Sequence, residues 1–399
     1  MILSAKNRNL DFTVSAPPSK SVYHRELIVR FLCGDTSHIE ADPSDNNDIR
    51  ATRACLRSLR DAKPGDEVIL PCGESGSTLR FMIPVAAAFL LREGSEIASK
   101  IVFTTEGRLF DRPVRELADA LAPHGINVTK DGSSRSIIVT GSMTSGEYRI
   151  DGSVSSQYIS GLLMALPLFS DKSSIEVTGG IKSARYIDLT VDALTKYSAP
   201  VSREGDTFYP SLGGYHGDVS GDFTVEGDWS NGAFLLCLAK FSDIKVEGLD
   251  PSSKQGDKAI VDFLKFSDDN KSGSWDCSDT PDIAPYMATV APFLFDELTL
   301  TGIGRLRIKE SDRVTAVREQ LSAIGVRTEE TEDTLTVYRA SSSSPATPVK
   351  LLSYNDHRMA MCAILIAVIL KIDIDIDDIK CLDKSFPEFQ EIIRRELIP

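Results

Sequence analysis

Two helical patterns alternate six times along this chain, and a chain built that way is not expected to close around one core. The plainer pattern is RPVRELADALAPHGINV from Arg112, in which Val114, Leu117 and Leu121 fall at helical spacing and Gly125 supplies the stop. RVTAVREQLSAIGVRT from Arg313 repeats it, with Val317, Leu321 and Ile324 ahead of Gly325. A β-run follows each, Ile137-Ile138-Val139 in one case and Leu335-Thr336-Val337 in the other. Looser copies begin near Asn46, Tyr186, Gly256 and Phe386.

The other pattern is a small polar patch opening onto an apolar helix: SKSVYHRELIVRFL, SGSTLRFMIPVAAAFLL, SSQYISGLLMALPL, WSNGAFLLCLA, TPDIAPYMATVAPFLF and NDHRMAMCAILIAVIL. Helices so apolar along their length belong inside a layer of strands and second helices, with their polar N-termini converging. Six such α/β units predict two domains of three units each. The acidic, glycine-rich stretch 217–228 is the expected division, matched near the N-terminus by the stiff Ser15-Ala16-Pro17-Pro18. Elsewhere the serine run 341–344 reads as a solvent loop, and KIDIDIDD from Lys371 alternates like a half-exposed strand.

Charge narrows the partners. Lys and Arg total 44 against 58 Asp and Glu, a net charge of −14 that repels nucleic acid and anionic lipid from most of the surface. The apolar run 359–370 is too short to cross a bilayer, and MILSAKNRNL lacks a signal peptide's apolar core. Seven cysteines, an odd count without a CxxC or Cys/His cluster, suit a reducing compartment, so a cytoplasmic protein is expected.

An anionic ligand therefore needs a local basic pocket, and the helix starts offer one. Helix N-termini present unpaired N–H groups and partial positive charge. Lys20 and Arg25 flank the first such start, Arg80 sits one turn into the second, and Arg112, Lys309, Arg313, Arg358 and Lys384 mark other element ends. Each alone is equally an ordinary surface cation; together, in an acidic chain, they point to a polyanionic small molecule. Ser155-Ser156-Gln157 is either an N-cap with its partner or a mouth that holds phosphate or sugar-like hydroxyls. The Gly73–Thr78 stretch GESGST lacks the lysine of a P-loop and the span of GxGxxG, so no kinase or dinucleotide fold follows. Asp282 is a helix cap or a proton-transfer group, and Glu310, between Lys309 and Arg313, is a surface ion-pair partner or a proton-transfer group. His357 in NDHR could cap, donate a proton or pack.

Taken in order, PPSKSVYHR, SGSTLRF, DRP, DGSVSSQY, YID, PDIA, KESDR, YNDHRMAM and KSFPEF resemble the 5-enolpyruvylshikimate-3-phosphate synthase family over essentially the whole chain. DGSVSSQ and NDHRMAM separate it from the UDP-N-acetylglucosamine enolpyruvyltransferases, whose reactive cysteine has no counterpart in the loop 104–111. The resemblance implies a two-domain inverse α/β barrel, each domain three βαβαββ units with buried helices. It divides the chain into a domain at 14–226 and a second at 1–13 plus 227–399. It implies transfer of the enolpyruvyl group of phosphoenolpyruvate to the 5-hydroxyl of shikimate 3-phosphate, with no cofactor or metal, by a monomer.

Carried over motif by motif, Lys20, Ser21, Arg25, Ser155, Ser156, Gln157, Ser183, Asp282 and Lys309 are the implied shikimate 3-phosphate ligands. Lys20, Gly76, Arg112, Gln157, Arg313, Arg358 and Lys384 are the implied phosphoenolpyruvate ligands. Asp282 is the implied base, Glu310 the proton carrier, and Lys20 and Lys384 assist. Three positions depart from the family's usual residues: Glu74, Arg305 and His24. A non-catalytic binding module would need the same arginines but not Asp282 and Glu310. With implied ligands on both domains, closure on binding is expected, hinged at Ala16-Pro17-Pro18 and near Glu226-Gly227.

Overall fold

Residues 1–6, 8–94, 97–341 and 345–398 are described in the computed structural model of the chain; most of the serine run, at 342–344, lies outside them. The chain divides into an inserted unit, Lys20–Val225, and a terminal unit, Met1–Ser19 with Glu226–Pro399. Each has its own hydrophobic core. The expected boundary at 14 falls inside the strand Thr13–Ser15, which pairs in parallel over its whole length with Lys245–Glu247 of the terminal unit.

Each of the twelve helical patterns forms a helix, though one is shorter than the spacing predicts. The segment from Arg112 becomes helical only at Arg115–Leu121. Pro113 disfavours the helical conformation at Arg112, and a 3-10 turn at Leu109–Asp111 comes first.

The repeat is complete in three places. In the inserted unit, Asp66–Pro71 pairs in parallel with Ala98–Thr104, which pairs antiparallel with Ser136–Gly141, and Ile126–Asp131 takes the outside position. The four strands at 147–210 and the four at 272–338 repeat this order. The parallel first step requires a crossover, and the buried helices Gly76–Leu90, Ser156–Ala165 and Ala284–Leu294 supply it. The other three units borrow or lack strands, one of them taking Thr13–Ser15 as the partner of Lys245–Glu247. Ile2–Ser4 pairs antiparallel with Asp373–Ile376, so the chain's start completes the last sheet. Between Lys20–Leu32 and Asn47–Arg60 no sheet strand occurs among the described residues, since that stretch holds Gly34, Pro43 and Asn46 but no β-branched run.

Burial follows the pattern of side chains. His357–Leu370 is buried from His357 to Val368, and Gly76–Leu90 nearly throughout. Within the inserted unit, Gly76–Leu90 and Ser156–Ala165 approach so closely that a Cβ on Gly161 would lie 2.8 Å from both the Arg80 carbonyl oxygen and Pro84 Cγ. Backbone on one side leaves nothing to move aside. Gly161→Val is expected to lower stability by about 1–3 kcal/mol, read as a drop in urea midpoint; an unchanged midpoint would refute the close approach.

Candidate active site

Four of the helix starts at the site carry their own caps. Ser75, Ser155, Asp312 and Asp356 each accept a hydrogen bond from a backbone N–H two or three residues on. What each mouth then holds is set by residues far away in sequence.

In the inserted unit Lys20 opens Lys20–Leu32 and reaches Asp48, Nζ to Oδ2 2.8 Å. Arg25 lies buried and faces neutral acceptors only: the Thr190 hydroxyl at 2.7 Å, the Tyr186 carbonyl at 2.7 Å, the Ser21 carbonyl at 2.5 Å and the Ser160 hydroxyl at 3.4 Å. Desolvation pulls its pKa down to about 10, opposed by Tyr186. This is a buried cation surrounded by dipoles.

A second group gathers around Gln157. Its Oε1 accepts from Arg80 Nη1 at 2.8 Å and its Nε2 donates to the Ser77 hydroxyl at 2.8 Å. The Arg112 guanidinium lies against Gly76, where a Cβ would come within 2.7 Å of its Cζ. Glycine is what lets that cation approach the helix mouth. Ser156 is buried beside the Ser155 cap, and buried Ser183 starts Ala184–Lys196 in the left-handed region at φ 55, a strained conformation for a serine.

In the terminal unit one arginine organises the cluster. Arg313, 2% exposed, donates from Nε to Asp356 Oδ2 at 2.9 Å, from Nη1 to Asp282 Oδ1 at 3.1 Å, and from Nη2 to Glu310 Oε2 at 2.6 Å. Lys309 Nζ reaches Asp282 Oδ1 from another side at 3.2 Å. Desolvation works against the charge on Asp282, but Lys309, Arg358 and Arg313 outweigh it and hold the carboxyl well below the usual range. Lys384 Nζ donates to the Asn355 carbonyl at 2.6 Å, and both Tyr354 and Asn355 are left-handed.

Arg358 is held by one nitrogen. Nη1 donates to the Tyr286 hydroxyl at 2.9 Å and to the Ser230 carbonyl at 3.1 Å, while Nε is buried without a hydrogen-bond partner among the described residues. A buried donor left unpaired is costly unless an acceptor meets it, so this Nε edge can take an oxyanion.

Of the three departures, His24 is buried, its Nδ1 2.8 Å from the Thr52 hydroxyl; desolvation, then Lys20 and Arg25, keep it neutral. Glu74 packs its carboxylate over Gly107, and Arg305 donates to the Ser278 carbonyl at 2.7 Å. His357 is buried at the start of its helix.

Sequence reasoning passed over four contributors. Asp356 could have been found, since it precedes the motif's histidine at a cap position. Thr190, Tyr286 and Asp257 carry no local signal. Asp257 is buried against the Ser230 hydroxyl, and desolvation followed by Asp282 raises its pKa to about 6 despite Ser230 and Arg358; Asp228 adds to the rise. Because the folded state keeps this proton between pH 3.8 and about 6 where the unfolded state loses it, the group makes stability fall as pH rises through that window. Asp257→Asn is expected to abolish that contribution, so urea midpoints of variant and parent should diverge across it; parallel pH curves would contradict the assignment.

A sequence model of the family EPSP synthase (3-phosphoshikimate 1-carboxyvinyltransferase) matches residues 5–393. A 3-phosphoshikimate 1-carboxyvinyltransferase of Clostridium kluyveri is 32% identical over 424 residues, covering 98% of this chain and 96% of the relative. One from Methanoculleus marisnigri is also 32% identical, covering 97% of each. Among solved structures, an EPSP synthase from Acinetobacter baumannii superposes with a TM-score of 0.71 at 19% identity over 99% of this chain and 98% of that one, a likeness of fold.

Proposed function

The chain belongs to the EPSP synthase family, and from that premise we propose which of its residues carry each part of the reaction. It transfers the enolpyruvyl group of phosphoenolpyruvate to the 5-hydroxyl of shikimate 3-phosphate and releases phosphate, a step of the shikimate pathway to chorismate and the aromatic amino acids. The observation that carries the assignment of residues is the cluster of Asp282 and Glu310 on Arg313, beside Arg358 with its unpaired buried Nε.

In this reading shikimate 3-phosphate is held by Lys20, Ser21, Arg25, Ser155, Ser156, Gln157, Ser183 and Lys309. Phosphoenolpyruvate is held by Lys20, Arg112 over Gly76, Gln157, Arg313, Arg358 and Lys384, the Nε edge of Arg358 taking one of its oxyanions. Glu310 gives a proton to the methylene carbon while the 5-hydroxyl oxygen bonds to the adjacent carbon and loses its proton to Asp282; the carbon–oxygen bond to phosphate then breaks as Glu310 takes back a methyl proton, and the proton held by Asp282 leaves on the phosphate. Lys20 and Lys384 offset charge that develops on the phosphate and carboxylate.

A carboxyl held low is a weak base, and the substrates themselves correct that. Two polyanions offset Lys309, Arg313 and Arg358, the cations that depress Asp282, so its proton affinity rises once the site is filled. The form expected to work is a cytoplasmic monomer, for which sedimentation is the check.

Phosphate release from phosphoenolpyruvate, measured with and without shikimate 3-phosphate, tests the activity directly. Glu310→Gln is expected to keep the fold and most ligand affinity while lowering kcat by about 10²–10⁴; near-parental turnover would remove Glu310 from the proton path. Arg25→Ala is expected to weaken shikimate 3-phosphate binding by about 2–5 kcal/mol, since a buried charged donor is lost. Unchanged calorimetric affinity would sink that assignment.

A further inference from the structure

The chain passes between its units at Ser19/Lys20 and again at Val225/Glu226. On the terminal-unit side the two passing segments run antiparallel and are bonded to each other. The Ser19 N–H donates to the Glu226 carbonyl at 2.7 Å, the Asp228 N–H donates to the Pro17 carbonyl at 2.8 Å, and Pro18 bridges Gly227.

One buried side chain grips both segments. Gln255 Oε1 accepts from the Ser19 hydroxyl at 2.9 Å and from the Trp229 N–H at 3.1 Å, while its Nε2 donates to the Gly227 carbonyl at 2.8 Å. Its own N–H donates to the Ser253 hydroxyl at 3.1 Å, which fixes where the side chain starts. A carboxamide placed merely to fill space would carry a desolvation cost that an apolar residue avoids. Here its two acceptor positions and a donor are all spent on the double crossing and on the helix Trp229–Lys240 that leaves it.

We infer that Gln255 is a positioning residue for the transfer, acting through Ser19 to hold Lys20. Ser19 is fully buried, fixed through its N–H and its hydroxyl, and is the residue immediately before Lys20. Consecutive Cα atoms stand a fixed ~3.8 Å apart, so a shift of Ser19 passes straight into the first residue of Lys20–Leu32. The inference rests on the proposed role of Lys20 toward both substrates. A misplacement of about 1 Å at such a residue can lower turnover about 10²-fold.

Two variants test it. Gln255→Met keeps length and removes every hydrogen bond of the carboxamide; kcat at saturating substrates is expected to fall about 10- to 100-fold, with faster amide hydrogen exchange at Ser19 and Asp228. Gln255→Glu restores the pattern only while its carboxyl is protonated, because the acid can donate to the Gly227 carbonyl and the carboxylate cannot. Burial raises that pKa, so the ratio of variant to parental kcat is expected to climb as pH is lowered from about 8 to about 6. A role in packing alone would give no such rescue. Parental kcat for Gln255→Met, accelerated exchange with unchanged kcat, or a flat pH ratio for Gln255→Glu would each overturn the inference. Lys20→Met in the same assay separates the two levels: if it is inactive while Gln255→Met is fully active, only the inference fails. Full activity of Lys20→Met would withdraw the role of Lys20 and the inference with it.

Discussion

Arg313 and Asp356 form an ion pair with almost no water around it, the arginine 2% and the aspartate 0% exposed. Asp356 accepts from Arg313 Nε, from the Ser311 hydroxyl at 2.9 Å and from the Arg358 N–H at 2.9 Å, so one carboxylate joins the turn before Arg313–Ala323 to the start of His357–Leu370. Removing either partner of a buried pair leaves an uncompensated charge and typically costs about 3–5 kcal/mol. With Arg313 anchored there, its remaining nitrogens set the positions of Asp282 and Glu310. The acid–base pair of the proposed mechanism is therefore placed by the same arginine that is proposed to hold phosphoenolpyruvate.

Arg25 sits in surroundings unlike those of Arg313 and Arg358. In the terminal unit desolvation of Arg313 is outweighed by Asp356, Glu310 and Asp282, and that of Arg358 by Tyr286, Asp282, Asp228 and Asp257, so both pKa values rise. In the inserted unit Arg25 has hydroxyls and carbonyls around it, and its pKa falls instead. A cation kept among neutral dipoles gains most from an incoming anion, because no carboxylate competes for it. The proposed division follows this contrast: firm anion binding on Arg25, and proton handling where carboxylates and cations are already balanced.

Much of the fold was legible because helix periodicity and stop signals are local. Val317, Leu321 and Ile324 ahead of Gly325 marked Arg313–Ala323, and the apolar run after His357 marked a buried helix. Strand bookkeeping was less legible. That Ile2–Ser4 completes the sheet of Asp373–Ile376 depends on pairing across more than three hundred residues, which no alternation within either strand encodes. The site followed the same divide, with Asp282, Glu310 and Arg313 visible as charges in company while Thr190 and Asp257 looked like any other polar residue.

The sequence by itself determined where most helices begin and which polar groups stand at their mouths. Ser75, Ser155, Asp228, Asp312 and Asp356 cap backbone N–H groups two or three residues away, a geometry the chain adopts without help from distant parts. Only the tertiary structure decided which mouths serve which partners. Arg313 meets Asp356 across 43 residues and Ser19 meets Gln255 across 236, and each bond exists only because buried helices and sheets bring those positions within 3 Å. A cap is satisfied by its neighbours along the chain, whereas the protonation of Asp282 and the setting of Lys20 depend on charges and donors that reach them through packing.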